Sequence, residues 1–137
     1  VVDDIYLVDI RSRKTSLVQC RNLPEMRVVA FDNQPTESPV AFHSVFKKIT
    51  QNSFTTRITG SSVFDIAMVV LGRLSARIWL NAKFYDVAPA FGFLGQNKGG
   101  FRNLNNGQIA KVFDKTLIGT FDDSLQSDLK LPLVLGE

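Results

Sequence analysis

The stretch from Arg57 to Ala90, RITGSSVFDIAMVVLGRLSARIWLNAKFYDVAPA, constrains the fold more than any other part of the chain. Gly60-Ser61-Ser62 supplies a permissive backbone turn and an N-cap hydroxyl. Val63 to Leu71 is apolar except for Asp65, and Gly72 follows as a stop. That pattern predicts a helix buried over most of its surface. Ala76, Ile78 and Leu80 then alternate with Arg77 and Trp79, the signature of a strand with one face in a core. After a turn at Asn81-Ala82-Lys83 a second apolar helix begins near Tyr85-Asp86 and runs to about Leu94.

Asp86 falls at that helix start, where a carboxylate either caps orphan N–H groups or faces a cation. Pro89 suits a first helical turn, because the N–H it lacks has no intrahelical partner there. Asp65 lies inside an apolar helix, and a buried carboxylate needs partners. Arg57 and Arg73 are the expected ones.

These residues resemble the second half of the magnesium-dependent, lithium-sensitive inositol monophosphatase superfamily. That half reads Arg-x-x-Gly-Ser/Thr, an apolar helix containing an aspartate or asparagine, Gly-Arg, a strand, and Trp-Asp-x-Ala-Ala/Gly. Arg57, Gly60, Ser61, Asp65, Gly72, Arg73 and Tyr85-Asp86-Val87-Ala88 match at these spacings, with Gly99-Gly100 where the family has a Gly-Gly. The resemblance implies the C-terminal lobe of the family's α-β-α-β-α sandwich. It further implies metal-assisted hydrolysis of a small phosphorylated molecule, with Mg2+ as cofactor. By the same matching Asp86 is the one metal ligand of this lobe, and Gly60, Ser61 and Ser62 present N–H groups and hydroxyls to substrate hydroxyls.

Two departures bear on the substrate. The family's Trp-Asp is Tyr85-Asp86, and the sugar-reading glutamate seven residues earlier is Trp79. Trp79 is therefore expected to face the ligand in a carboxylate's place and to make inositol phosphates poor ligands. The family's glutamate and Asp-Pro-x-Asp-Gly-Thr metal motifs do not occur in these 137 residues. The resemblance thus implies a fragment: residues 1–24 a hairpin left over from a missing N-terminal lobe, residues 25–137 the C-terminal lobe. The chain alone is expected to hold no catalytic residues and to be inactive without that lobe. The alternative is a non-catalytic relative used for binding or dimerisation, so a homodimer is a candidate assembly.

Composition excludes several classes. With 45% hydrophobic and 21% charged residues in 137, the chain suits one soluble globular domain of ordinary composition. Its formal charge of +3 is spread along the sequence, grouped only at Arg11-Arg13-Lys14 and Lys47-Lys48. A nucleic-acid partner, which wants a denser basic stripe, is not expected. The single Cys20 forms no intrachain disulfide and reads as a small buried hydrophobe, which with the lack of a signal peptide points to the cytoplasm. No apolar run reaches the roughly 18 residues of a membrane span.

Elsewhere, Ile5–Val8 and Ser16–Cys20 read as a hairpin, Val28–Phe31 as a strand covered on both faces, and Phe54–Ile58 as a further strand. Ser38-Pro39 opens a helix whose Phe42, Val45, Phe46 and Ile49 form an apolar stripe, leaving His43, Lys47 and Lys48 off it. His43 is the one histidine, and with no Gly-x-Ser-x-Gly elbow in the chain it reads as solvated rather than catalytic. Asn105-Asn106-Gly107 is a hairpin turn, Thr116–Phe121 a last strand, and Asp122-Asp123-Ser124 the cap of a short helix carrying Leu125 and Leu129. Strands alternating with helices give a mixed sheet covered by helices. In such sheets ligands sit outside strand ends at helix N-termini, so the helix starts at Gly60-Ser61-Ser62 and Tyr85-Asp86 are expected to face one crevice.

Overall fold

The apolar runs at Val28 and Ala76 become the interior strands that the rest of the chain covers. The computed structural model describes residues 6–17, 27–31, 39–52, 54–93, 100–104, 106–121 and 125. Cys20, Ser38 and the Asp122-Asp123-Ser124 cap lie outside the described residues. The strands are β1 (Tyr6–Asp9), β2 (Lys14–Leu17), β3 (Val28–Ala30), β4 (Thr55–Arg57), β5 (Ala76–Trp79), β6 (Phe101–Asn103) and β7 (Leu117–Thr120). The helices are α1 (Pro39–Gln51), α2 (Ser62–Val70) and α3 (Phe84–Phe93).

Five strands form one mixed sheet in the order β4-β3-β5-β7-β6. β4, β3 and β5 run parallel, while β7 is antiparallel to both β5 and β6. The parallel strands need helical crossovers to return the chain, and α1 and α2 supply them. Two cores result, one on each face. On the first, Val45 and Ile49 of α1 are fully buried against Val29, Ile78 and Ile118, with Phe42 and Phe46 packed alongside. On the second, Ile66 and Val69 of α2 and Val87 and Ala90 of α3 enclose Trp79, Phe101 and Leu117. Each large aliphatic or aromatic side chain so buried contributes about 1.5–3 kcal/mol.

This arrangement is the expected mixed sheet covered by helices, and it corrects several local readings. β5 is buried along its whole length rather than on one face. Its alternation survives as a division of labour, since Ala76 and Ile78 enter the α1 core while Trp79 enters the other. α2 is less enclosed than its composition predicts, because Val63 and Phe64 in its first turn are exposed. β6 precedes the expected Asn105-Asn106-Gly107 turn, in a stretch where the sequence named no strand. Phe-Arg-Asn is too short for a period, and pairing with β7 is what makes it a strand. Of the expected turn after it, Asn105 lies outside the described residues, while Gly107 has φ 70° and donates its N–H to the carbonyl of Asn103 at 2.8 Å.

Helix ends follow the sequence signals more closely. Ser61 caps α2, its Oγ accepting from the N–H of Phe64, after Gly60 at φ 79°. At the other end Gly72, at φ 70°, donates to the carbonyl of Val69, and Arg73 donates to that of Met68, a Schellman closure. α3 starts earlier than Tyr85, so Pro89 is its sixth residue and lies beyond the first turn. There the proline removes the N–H that a regular helix would aim at the carbonyl of Tyr85.

The β1–β2 hairpin is a separate two-stranded sheet. All eight strand residues are exposed, Tyr6, Leu7, Val8 and Leu17 among them. Asp9 Oδ1 accepts from the N–H groups of Arg11 and Ser12 and closes the turn, and these bonds hold its carboxyl below the ordinary value of 3.8.

Candidate active-site crevice

Two helix starts and the end of the central strand converge on one crevice of about 340 Å³. Gly60, Ser61, Ser62 and Val63 come from the entry to α2, Arg77 and Trp79 from β5, and Asn81, Ala82, Lys83, Tyr85 and Asp86 from the β5–α3 turn and the first turn of α3. The expected site residues Gly60, Ser61, Ser62, Trp79 and Asp86 therefore share one concavity. The polypeptide reaches it because β5 delivers its last residues beside the N-terminus of the helix that precedes it in sequence.

Asp86 is not the cap of α3. Its N–H donates to the carbonyl of Lys83 at 3.0 Å, which makes Lys83 the flanking residue and places Asp86 in the first turn. Its half-buried carboxylate lines the crevice, where the helix dipole favours a negative charge. Tyr85, beside it, is 73% exposed.

Behind the crevice lies a buried polar network. The carboxylate of Asp65, fully buried, accepts from the hydroxyl of Thr59 at 2.6 Å and stands 3.5 Å from Nε of Arg77. The sequence pointed to Arg57 or Arg73 as its partner. Both are exposed, and the strand cation Arg77, itself buried, takes the role. Burial pushes the Asp65 carboxyl above its ordinary value, with the Thr59 hydroxyl and the Arg77 guanidinium pulling the other way. Arg77 extends the network forward: its Nη2 donates to Ser62 Oγ at 3.3 Å, and its guanidinium lies 5.3 Å from the Trp79 ring. Trp79 Nε1 donates to the same Ser62 oxygen at 3.1 Å.

Arg77, Asn81 and Lys83 are polar lining residues that sequence reasoning passed over. The available signal was Arg77 itself, a cation two residues before Trp79 on a strand whose every position is covered. His43 stays apart from the site. It is exposed on α1, on the opposite face of the sheet, edge-on to Phe42.

Among the described residues no group of three or more His, Cys, Asp or Glu side chains is placed to hold a metal ion. Mg2+ wants near-octahedral oxygen coordination, usually one or two carboxylates with phosphate and waters. Among the described residues Asp86 is the one carboxylate lining the crevice, and Asp65 is committed to Thr59 and Arg77. The donor set fits one protein ligand of such a site and not a complete site. No described helix is long and apolar enough to cross a membrane.

No protein-family model matches the chain, and no curated protein does. Solved structures do match. An inositol monophosphatase family protein from Staphylococcus aureus superimposes with a TM-score of 0.65 at 20% identity, covering 97% of this chain and 52% of that one. A dual-specific IMPase/NADP phosphatase bound with D-inositol-1-phosphate gives 0.66 at 21% identity over 97% of this chain and 52% of its own. An IMPase/NADP phosphatase complexed with Mg2+ and phosphate gives 0.66 at 21% identity over 97% and 51%. The chain spans about half the length of the structures it matches, and it has the fold of one half of an inositol monophosphatase family protein.

Proposed function

We propose that this chain is the C-terminal lobe of a Mg2+-dependent phosphomonoesterase acting on a small phosphorylated metabolite. In this reading it works together with an N-terminal lobe that supplies the remaining carboxylates. The observation that carries the proposal is the single crevice that gathers Asp86, the capped start of α2 and Trp79. Asp86 would be one ligand of the metal, which when bound would supply polarisation of the phosphoryl group and activation of a water. The N–H groups at Gly60, Ser61 and Ser62 face the substrate, as helix N-termini face anions. Trp79 closes the wall where the related enzymes carry a sugar-reading glutamate. Solved neighbours that bind D-inositol-1-phosphate, or Mg2+ and phosphate, support the substrate class and the cofactor.

A single carboxylate cannot clamp both the attacking and the leaving oxygens of an in-line displacement, so this chain by itself is not a phosphatase. Pure chain incubated with several phosphomonoesters at millimolar Mg2+ releases no more phosphate than its Asp86→Asn variant. Turnover that the variant abolishes would mean that carboxylates of this chain complete the metal site.

The exposed hairpin favours a second reading, in which the lobe serves in binding or dimerisation. An Asp-Pro-x-Asp-Gly-Thr motif in the rest of the coding sequence decides for the enzyme.

A further inference from the structure

We propose that Ser62 is a specificity-determining residue, a hydrogen-bond donor that Trp79 and Arg77 fix in one sense. The ligand must meet it with an acceptor oxygen, such as a phosphoryl or carboxylate oxygen, and not with a donor group. This inference rests on the phosphatase reading of the crevice and refines it.

A serine hydroxyl has two acceptor lone pairs and one proton to donate. At Ser62 both acceptor positions are taken, one by Arg77 Nη2 at 3.3 Å and the other by Trp79 Nε1 at 3.1 Å. Neither partner can reverse the sense of its bond, because guanidinium and indole nitrogens carry hydrogens and accept none. The hydroxyl is thereby left with its proton alone. Among the described residues no side chain or carbonyl receives that proton, and Ser62 is half-buried in the wall of the crevice. Its free direction is the crevice.

The orientation is built in depth. Asp65 lies 3.5 Å from the Arg77 guanidinium and is itself fixed by Thr59, so Arg77 cannot swing away without stranding a buried carboxylate. Trp79 is 1% exposed, with its ring 5.6 Å from that of Phe101, which fixes the direction of Nε1. Accepting from a cation also polarises the Ser62 O–H and strengthens it as a donor to an anionic oxygen. A substrate hydroxyl at this point can only accept, and an ammonium is rejected because it has no acceptor and two donors would face each other. Discrimination of this kind, through an unpaired polar group, is stronger than discrimination by shape.

The test is a titration of the isotope-labelled chain with inorganic phosphate in Mg2+, following amide shifts at Gly60, Ser61 and Tyr85. Wild type, Ser62→Ala, Trp79→Phe and the double variant are compared, with unchanged shifts in β7 as the check that each is folded. Ser62→Ala weakens phosphate binding by about tenfold, the size of one hydrogen bond to an anionic oxygen. Trp79→Phe weakens it by less, because one lone pair is freed and the hydroxyl can turn. The double variant is no weaker than Ser62→Ala, since Trp79 acts through that hydroxyl. Equal binding by wild type and Ser62→Ala overturns the inference, as do losses that add in the double variant. Phosphate binding that needs Mg2+ and Asp86 but not Ser62 leaves the phosphatase reading standing without this refinement. Binding that needs Ser62 but neither Mg2+ nor Asp86 does the reverse, and no binding by wild type overturns this inference while leaving the reading that needs both lobes in place.

Discussion

The indole Nε1–H of Trp79 donates to Ser62 Oγ at 3.1 Å, joining the last residue of the central strand to the first residue of α2. From the sequence, Trp79 stands where a substrate-reading carboxylate is expected. In the structure it is also a core residue between α2, α3 and β6, which makes it two kinds of residue at once.

The first prediction follows from that double role. Trp79→Glu removes a buried ring and the Ser62 donor together, so it destabilises the chain by about 3–5 kcal/mol, as large aromatic truncations do. Trp79→Phe costs about 1 kcal/mol through the lost hydrogen bond. Urea denaturation separates the two. A Glu variant within 1 kcal/mol of wild type would show that the site tolerates a carboxylate, and an assay of the complete protein with inositol 1-phosphate would then be informative.

Asp65 carries a pH prediction of definite sign. Its folded carboxyl titrates above the ordinary 3.8, chiefly because burial disfavours the anion. The folded state therefore takes up a proton before the unfolded chain does as pH falls. Above the raised value the burial penalty is carried in full, and towards 3.8 it is relieved. Relative to Asp65→Asn, wild type thus gains stability as pH falls through this window. Denaturation midpoints of the two proteins at several pH values check it. A wild type that loses ground to the variant over that range would show the Arg77 attraction outweighing desolvation.

How legible this was depends on the kind of signal. Gly60 and Gly72 need left-handed backbone and Ser61 needs an orphan N–H, so the limits of α2 stood in the sequence as local chemistry. The apolar stripe of α1 was equally local. That Asp86 and Gly60-Ser61-Ser62 would share a crevice followed from a general rule about strand ends and helix starts. What escaped was whatever distant pairing decides. β6 is a strand because β7 lies beside it, and β5 is covered twice because α1 and the α2–α3 pair take opposite faces. The choice of Arg77 over Arg57 and Arg73 is of the same kind. All three lie close to Asp65 in sequence, and only the strand's position under α2 selects one.

The hairpin supplies a third prediction. Two short strands with every residue exposed make few stabilising contacts, and an isolated two-stranded sheet is marginal in water. In dilute monomeric solution the amides of Tyr6 to Val8 exchange far faster than those of β5 and β7. Protection of Leu7 equal to that of Ile118 would show the hairpin firmly packed on this chain, whereas protection that appears with concentration would identify pairing between copies.

The most direct test of the crevice as half of a metal site uses Mn2+ as a paramagnetic stand-in for Mg2+. Titrated into the isotope-labelled chain, it broadens the amides of Gly60, Ser61, Ser62 and Lys83 to Val87 together, and Asp86→Asn removes that broadening while the rest of the spectrum is unchanged. Broadening confined to other carboxylates, or broadening at the crevice that survives Asp86→Asn, would contradict the assignment of Asp86 as the metal ligand of this lobe.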